Sequence, residues 1–236
     1  MRRILKYIWS SLLLTICSTS AFAADSTSVS NTWFRGFFVD VDAVEPLVSC
    51  FNDNHKGFNA SLSINLKDAF FPTVMVGYAS LYASSDYSNY VIQPDNYTYK
   101  VKGPYFKVGL DFNLLKSEQK FKPSCYLGAR YAFSLYNYDV LNVVAVQQDW
   151  ESSSLINVSD HTFANWGEFV AGVRVPVYNR LYLGLEGCYK WSFKAKQGKF
   201  TNADGTNVVI NQSYAPGFGD ANGTTWGFRY LVSFFF

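Results

Sequence analysis

Beyond its first 23 residues the sequence has no apolar run approaching the eighteen or so residues that a helix needs to cross hydrocarbon. That excludes a helical membrane bundle. Charge is also scarce, at 16% of residues, and neither sign dominates: once Arg2, Arg3 and Lys6 are set aside, seventeen basic residues face eighteen acidic ones. Such a balance leaves no nucleic-acid footprint. There are two histidines, His55 and His161, with no cysteine pair near either, so no zinc pattern and no other metal site is expected. Of the four cysteines, Cys50, Cys125 and Cys188 follow the first 23 residues; an odd, scattered set is not a disulfide framework and reads as buried or lipid-facing filler. The glycine-rich run PGFGDANG at 216–223 fits no phosphate-loop spacing and reads as a bend leading into the last strand. What the chain has in abundance is aromatics, at 19%. A chain so aromatic without a spanning helix is either a soluble β protein or a membrane barrel, which spreads its apolarity over alternate residues.

The first residues address the chain. Arg2, Arg3 and Lys6 form a positive start, an apolar stretch runs from Ile8 to Ile16, and small residues lead to Ala21-Phe22-Ala23. This is the form of a secretory signal peptide cut after Ala23. The apolar stretch is short for a membrane anchor, and lipidation at Cys17 is disfavoured by bulky Ile16 before it. The expected organisation is a cleaved signal at 1–23, an N-terminal segment at 24–32 and one domain at 33–236.

The opposite end identifies the architecture. In WGFRYLVSFFF, Trp226, Phe228, Tyr230, Val232, Phe234 and Phe236 share one parity, while Gly227, Arg229, Leu231, Ser233 and Phe235 share the other. Successive strand residues face opposite sides, so one face is wholly apolar. On an edge strand of a soluble sandwich that face would invite aggregation. The pattern resembles the C-terminal strand by which outer-membrane barrels are recognised for assembly, with Tyr230, Val232, Phe234 and Phe236 as the signal. The same alternation marks eight segments, near 33–45, 57–66, 73–83, 104–115, 124–137, 165–178, 180–193 and 225–236. Connections alternate between long (46–56, 84–103, 138–164, 194–224) and short (67–72, 116–123, 179). Long loops on one side and short periplasmic turns on the other are the habit of bacterial barrels. The expectation is an all-β, closed, antiparallel up-and-down transmembrane β-barrel of about eight strands, with both termini periplasmic. Val140–Gln148 and Asn207–Ser213 read as hairpin extensions rising above the membrane; ten strands stay open if they join the wall instead.

The inward parity collects five acids, Asp40, Asp42, Asp111, Glu168 and Glu186, and five bases, Lys107, Arg130, Arg174, Lys190 and Arg229. An eight-stranded barrel is just wide enough for its side chains to fill. Unpaired charges there are costly, so the ten are expected to form a salt-bridged plug; a narrow charged pore is the alternative. His55 and His161 fall in long loops. His161, with Asp160 and the serines at 152–154 and 159, is the candidate for a lipid-modifying enzyme in which a histidine activates a serine. Ordinary loop composition is the simpler reading, and no enzyme activity and no cofactor are expected. Tyr87, Tyr90, Tyr97, Tyr99, Tyr138, Trp150 and Tyr214 enrich the long loops in residues favoured at recognition surfaces.

The stretches FFPTVMVGYA, GPYFKVGLDFNLL, GARYAFSLYNYDV, WGEFVAGVRVPVYNRLYLG and PGFG…WGFRY resemble a family of bacterial outer-membrane barrels described as a domain of unknown function. The chain is more distantly similar to small OmpA- and OmpX-type barrels. The resemblance implies a barrel in the cell outer membrane and carries over no catalytic residue. An inward acid is expected near Met75, where this chain has none. The expected partners are outer-membrane lipids, the barrel-assembly machinery and an unidentified surface ligand held by the loops, with a surface-binding or structural role.

Overall fold

Alternation of apolar and mixed residues, carried through eight segments, builds a sheet that buries one face only by closing on itself. The computed structural model describes residues 33–51, 54–85, 97–115, 122–146, 153–194, 198–201, 207–210, 214–220 and 224–236. The elements in chain order are β1 (Phe34–Asp42), α1 (Val44–Phe51), β2 (His55–Leu66), β3 (Phe70–Ser85), β4 (Tyr97–Asn113), β5 (Ser124–Val146), β6 (Ser153–Tyr178), β7 (Leu181–Lys194), β8 (Gly198–Thr201), β9 (Asn207–Ile210), β10 (Tyr214–Ala215), β11 (Gly219–Asp220) and β12 (Thr224–Phe235). Eight of them close a barrel in the order β1-β12-β7-β6-β5-β4-β3-β2, every neighbour antiparallel. The strands β8 and β9 pair only with each other, as do β10 and β11, so neither pair adds to the wall. The wall is eight-stranded, not ten-stranded. Residues 1–32, including the expected signal and N-terminal segment, lie outside the described residues.

Outward side chains are apolar and open: Val74 is 53% exposed, Leu127 51% and Phe169 60%. A belt of this kind around a closed barrel is the surface of a membrane-spanning barrel, because in water so continuous an apolar patch would aggregate. This is an outer-membrane β-barrel. Each wall hairpin has one end at a short turn and the other at a long connection. Lys67 and Asp68, both at positive φ, make the β2–β3 turn, and Asn179 at φ 43° makes the β6–β7 turn. At the opposite, long-loop end, β5 and β6 run to 23 and 26 residues, against the 9–11 that a tilted strand needs to cross. The connection 138–164 is mostly a ribbon of paired strands, Val146 lying opposite Ser153, as expected of a hairpin extension at Val140–Gln148 but with the returning strand, expected as loop, paired as well.

The first wall segment departs from expectation too. Strand was expected to Glu45, but β1 stops at Asp42 and α1 follows. Continuing the strand would turn Glu45 and Ser49 to the lipid, since Asp40 and Asp42 face inward. A helix puts positions four apart on one face. Glu45 and Ser49 accordingly face β2, where Glu45 Oε2 meets His55 Nε2 at 3.0 Å and the Gly57 N–H donates to Ser49 Oγ at 2.9 Å. Leu47 and Phe51 lie on the exposed face. The start is set by Asp42, whose Oδ1 accepts the Val44 N–H at 2.9 Å, and Pro46 sits in the first turn, where its missing donor is harmless. The helix thus continues the wall beside the upper edge of β2.

Closure depends on glycine at two places. Gly36, at φ +122° beside a register shift, lies where any Cβ would strike the Phe236 carbonyl. Gly172 lies opposite Tyr126 across β5 and β6, and the Tyr126 ring covers it. Gly172→Val should therefore expel Tyr126 and cost roughly 1–3 kcal/mol as overpacking. Gly187→Ala, whose new methyl would meet Phe228 at an ordinary 3.5 Å, should be near neutral. Urea unfolding in lipid bilayers separates the two.

Candidate functional site: the charged lumen

The lumen is layered. Toward the short-turn end Phe38, Phe71, Tyr126 and Tyr182 pack together with Phe235. Toward the long-loop end Met75, Tyr105, Tyr136, Trp166 and Phe218 form a second cluster. The inward charges lie between, and nine of the ten are buried; Lys190 is half-buried.

Eight of the ten make ion pairs among themselves. Arg130 is the hub: Nη2 meets Asp111 Oδ2 at 2.7 Å, and both terminal nitrogens reach Glu186 at 2.9 Å. Glu186 also pairs with Arg229 and accepts from the Tyr126 hydroxyl at 2.9 Å. Arg174 meets Asp40 at 2.8 Å, and its guanidinium lies 4.6 Å from the Tyr126 ring centroid and 5.0 Å from that of Phe38. Lys107 meets Glu168 at 2.7 Å, and the Trp166 indole N–H donates to the same oxygen at 2.8 Å. The Thr73 hydroxyl lies 2.9 Å from Ser63 and 3.2 Å from Asp111, while Ser63 lies 3.5 Å from Asp40, so hydroxyls connect the Asp40 and Asp111 groups. Each charge sits on the inward face of a different strand position, held by the ladder rather than by a loop.

Two of the ten do other work. Asp42 accepts from Asn59 at 3.0 Å and from the Val44 N–H, so it serves the wall helix. Lys190 donates to the Gly217 and Phe218 carbonyls at 2.9 and 3.1 Å. Those carbonyls belong to the β10–β11 hairpin, which the sequence presents as a simple bend. It instead folds into the barrel mouth, where Phe218 is 2% exposed and meets Trp166 edge-on at 5.6 Å. Its sequence signal is Phe218, an aromatic between two glycines that hold positive φ. Met75, where an inward acid was expected, lies with its sulfur 3.0 Å from Arg229 Nη1.

The other candidates are placed as follows. Tyr230, Val232, Phe234 and Phe236 line the outward face of β12 and the residue after it. There the Ala43 N–H donates to Tyr230 O at 2.8 Å, and the Phe236 ring stacks on Phe37 at 5.2 Å. They lie at the seam that closes the barrel. His55 and His161 are in strands, not loops: His55 faces Glu45, and His161 faces Asn137 across the ribbon. Among the described residues neither histidine bonds a serine hydroxyl, and no cluster of three metal-ligating side chains occurs. Of the aromatics assigned to the loops, Tyr138 is buried and Tyr214 packs against the upper cluster; Tyr87, Tyr90 and Trp150 lie outside the described residues. Cys50 is exposed on α1, Cys125 half-buried, Cys188 buried, and none is bridged.

The profile of the domain of unknown function DUF6048 matches residues 2–236. The chain belongs to that family. No curated protein matches it. Among solved structures it is similar to Ail, the attachment invasion locus protein of Yersinia pestis, at 9% identity and TM-score 0.36 over 85% of this chain and 93% of that one. Ail in complex with the heparin analogue sucrose octasulfate aligns over the same shares at 10% identity and TM-score 0.33.

Glu186→Gln should leave Arg130 with Asp111 alone, strand Arg229 in a sealed layer, and cost about 3–5 kcal/mol. The further change Arg229→Met should recover part of that loss, so a double-mutant cycle by urea unfolding should give a large coupling between the two. Lys190→Met should release the hairpin: in a chain whose own cysteines are replaced, Ala215→Cys should go from protected to readily labelled by a thiol reagent.

Proposed function

We propose that this outer-membrane barrel is a non-conducting, non-enzymatic surface protein that presents the β5–β6 ribbon and its neighbouring loops to a ligand outside the cell. The observation that carries the reading is the ribbon. Its strands are more than twice the length that a crossing requires, and it stands at the long-loop end, while the opposite end has only tight turns. In this reading the short turns and both termini are periplasmic, residues 1–23 direct export and are removed, and Tyr230, Val232, Phe234 and Phe236 engage the barrel-assembly machinery.

The ten lumen charges serve as a structural plug. Two aromatic layers flank them; eight pair with one another and Asp42 and Lys190 are held by other partners, which supports a fixed rather than a mobile charged lining among the described residues. The bonding of the two histidines to Glu45 and Asn137 supports the non-enzymatic reading.

Two measurements test this. Refolded protein in a planar bilayer should show absent or rare openings; steady charge-selective conductance would overturn the plug. Cutting the ribbon back to Tyr138 and Asp160 with a short turn should leave folding unchanged and abolish adhesion of cells expressing the protein to its surface ligand. Undiminished adhesion would move the binding site elsewhere.

A further inference from the structure

The outward rows of β2, β3 and β4 change character at one level. From Leu66 to Phe58 on β2, Phe70 to Tyr78 on β3 and Phe112 to Pro104 on β4, every outward residue is apolar. The next outward row toward the long-loop end reads Lys56, Ser80, Lys102, and these three lie opposite one another in register. Lys56 to Leu66 is eleven residues, one full crossing by the 9–11 residue requirement. The row therefore sits at the border of the hydrocarbon. Lys56 and Lys102 are exposed, and Asn137, the next residue in register beyond Lys102, is neutral. Two strand spacings put the two lysine Cα atoms about 10 Å apart, with the Ser80 hydroxyl between.

The row is local. One step higher, Lys100 lies opposite Asp139, and the outward rim of β5 and β6 continues through Asn137, Ser159 and His161. Among the described residues the outward cations of this rim are thus confined to β2 and β4. Beside β2 the apolar strip is widened by the exposed face of α1. A cationic row over an apolar strip has the shape of an anionic amphiphile: lysine stems lie along the hydrocarbon while their ammonium groups meet phosphate at the surface.

We propose that Lys56, Ser80 and Lys102 form a docking site for the phosphorylated headgroup of an outer-leaflet glycolipid, whose acyl chains lie down the apolar strip of β2–β4. This rests on the reading that the long-loop end faces outward. A bisphosphorylated sugar head presents two separated anions to two separated lysines, whereas a zwitterionic phospholipid sets its own ammonium against them.

The test is retention of bisphosphorylated lipid A by the full barrel in detergent, read by native mass spectrometry and by thermal unfolding. The wild-type protein should retain lipid A and be stabilised by it. The dephosphorylated glycolipid and phosphatidylglycerol should be retained weakly, and retention should fall as salt is raised. K56Q/K102Q should weaken retention about thirtyfold, as expected for two lysines near an anionic surface, with its unfolding in the absence of lipid unchanged. Equal retention by K56Q/K102Q, or of the dephosphorylated lipid, would overturn the site. Equal retention of phosphatidylglycerol would overturn the assignment to a glycolipid. Orientation is read separately by labelling Ser159→Cys on intact cells with an impermeant thiol reagent, in a chain whose own cysteines are replaced. Labelling is expected, and its absence with lipid retention intact would overturn the outward orientation alone.

Discussion

An eight-stranded barrel has an interior that side chains alone fill, so a charge turned inward must find its partner on another strand of the wall. Much of this structure follows from that constraint. Arg130 pairs with Asp111 on the neighbouring strand and reaches past β6 to Glu186 on β7, while Arg174 reaches to Asp40 and Lys107 to Glu168. Ion pairs of this kind repay their desolvation only when water is excluded and geometry is good. The aromatic layers above and below supply the exclusion, and hydroxyls from Thr73, Ser63 and Tyr126 take up further lone pairs and protons.

The same requirement explains the two departures from a plain barrel. Lys190 is an inward base whose acceptors are the carbonyls of the β10–β11 hairpin, and a segment between long loops is thereby drawn into the mouth as a cap. Asp42 spends its carboxylate on Asn59 and on the start of α1, where the wall changes from strand to helix. In a bilayer a strand edge must have its backbone groups satisfied. Ser49 of the helix does this for the Gly57 N–H. Interior and wall are therefore coupled.

Much of this was legible in the sequence. Alternation with a period of two is a local signal, so it marks which residues face inward, and all ten lumen charges could be named from parity. It also sorted long connections from short ones, and the closed eight-stranded sheet has that order. Parity failed at Val44–Phe51, where an apolar run carries Glu45 and Ser49 four apart, a helical spacing that the expected continuation of the strand obscured. Within 138–164 it marked Val140–Gln148 as an extension of the hairpin but left the returning strand from Ser153 as loop, because that stretch is ordered by pairing with β5 and not by burial. Loop aromatics were over-read for the same reason: Tyr138 is an inward residue of β5, buried in the upper cluster.

By itself, then, the sequence determined the barrel, its membrane belt and the set of inward charges, because strand parity and apolar belt length are properties of consecutive residues. Tertiary structure decided which charge meets which, that Asp42 and Lys190 serve backbone and side-chain partners outside the ion-pair network, and that Phe218 seals the mouth. It also decided that Lys56, Ser80 and Lys102 stand in one row. Those outcomes depend on register and shear around a closed sheet, which join residues as far apart as Asp40 and Arg174, separated by 134 positions, and Met75 and Arg229, separated by 154. Spacing along the chain carries no record of such meetings.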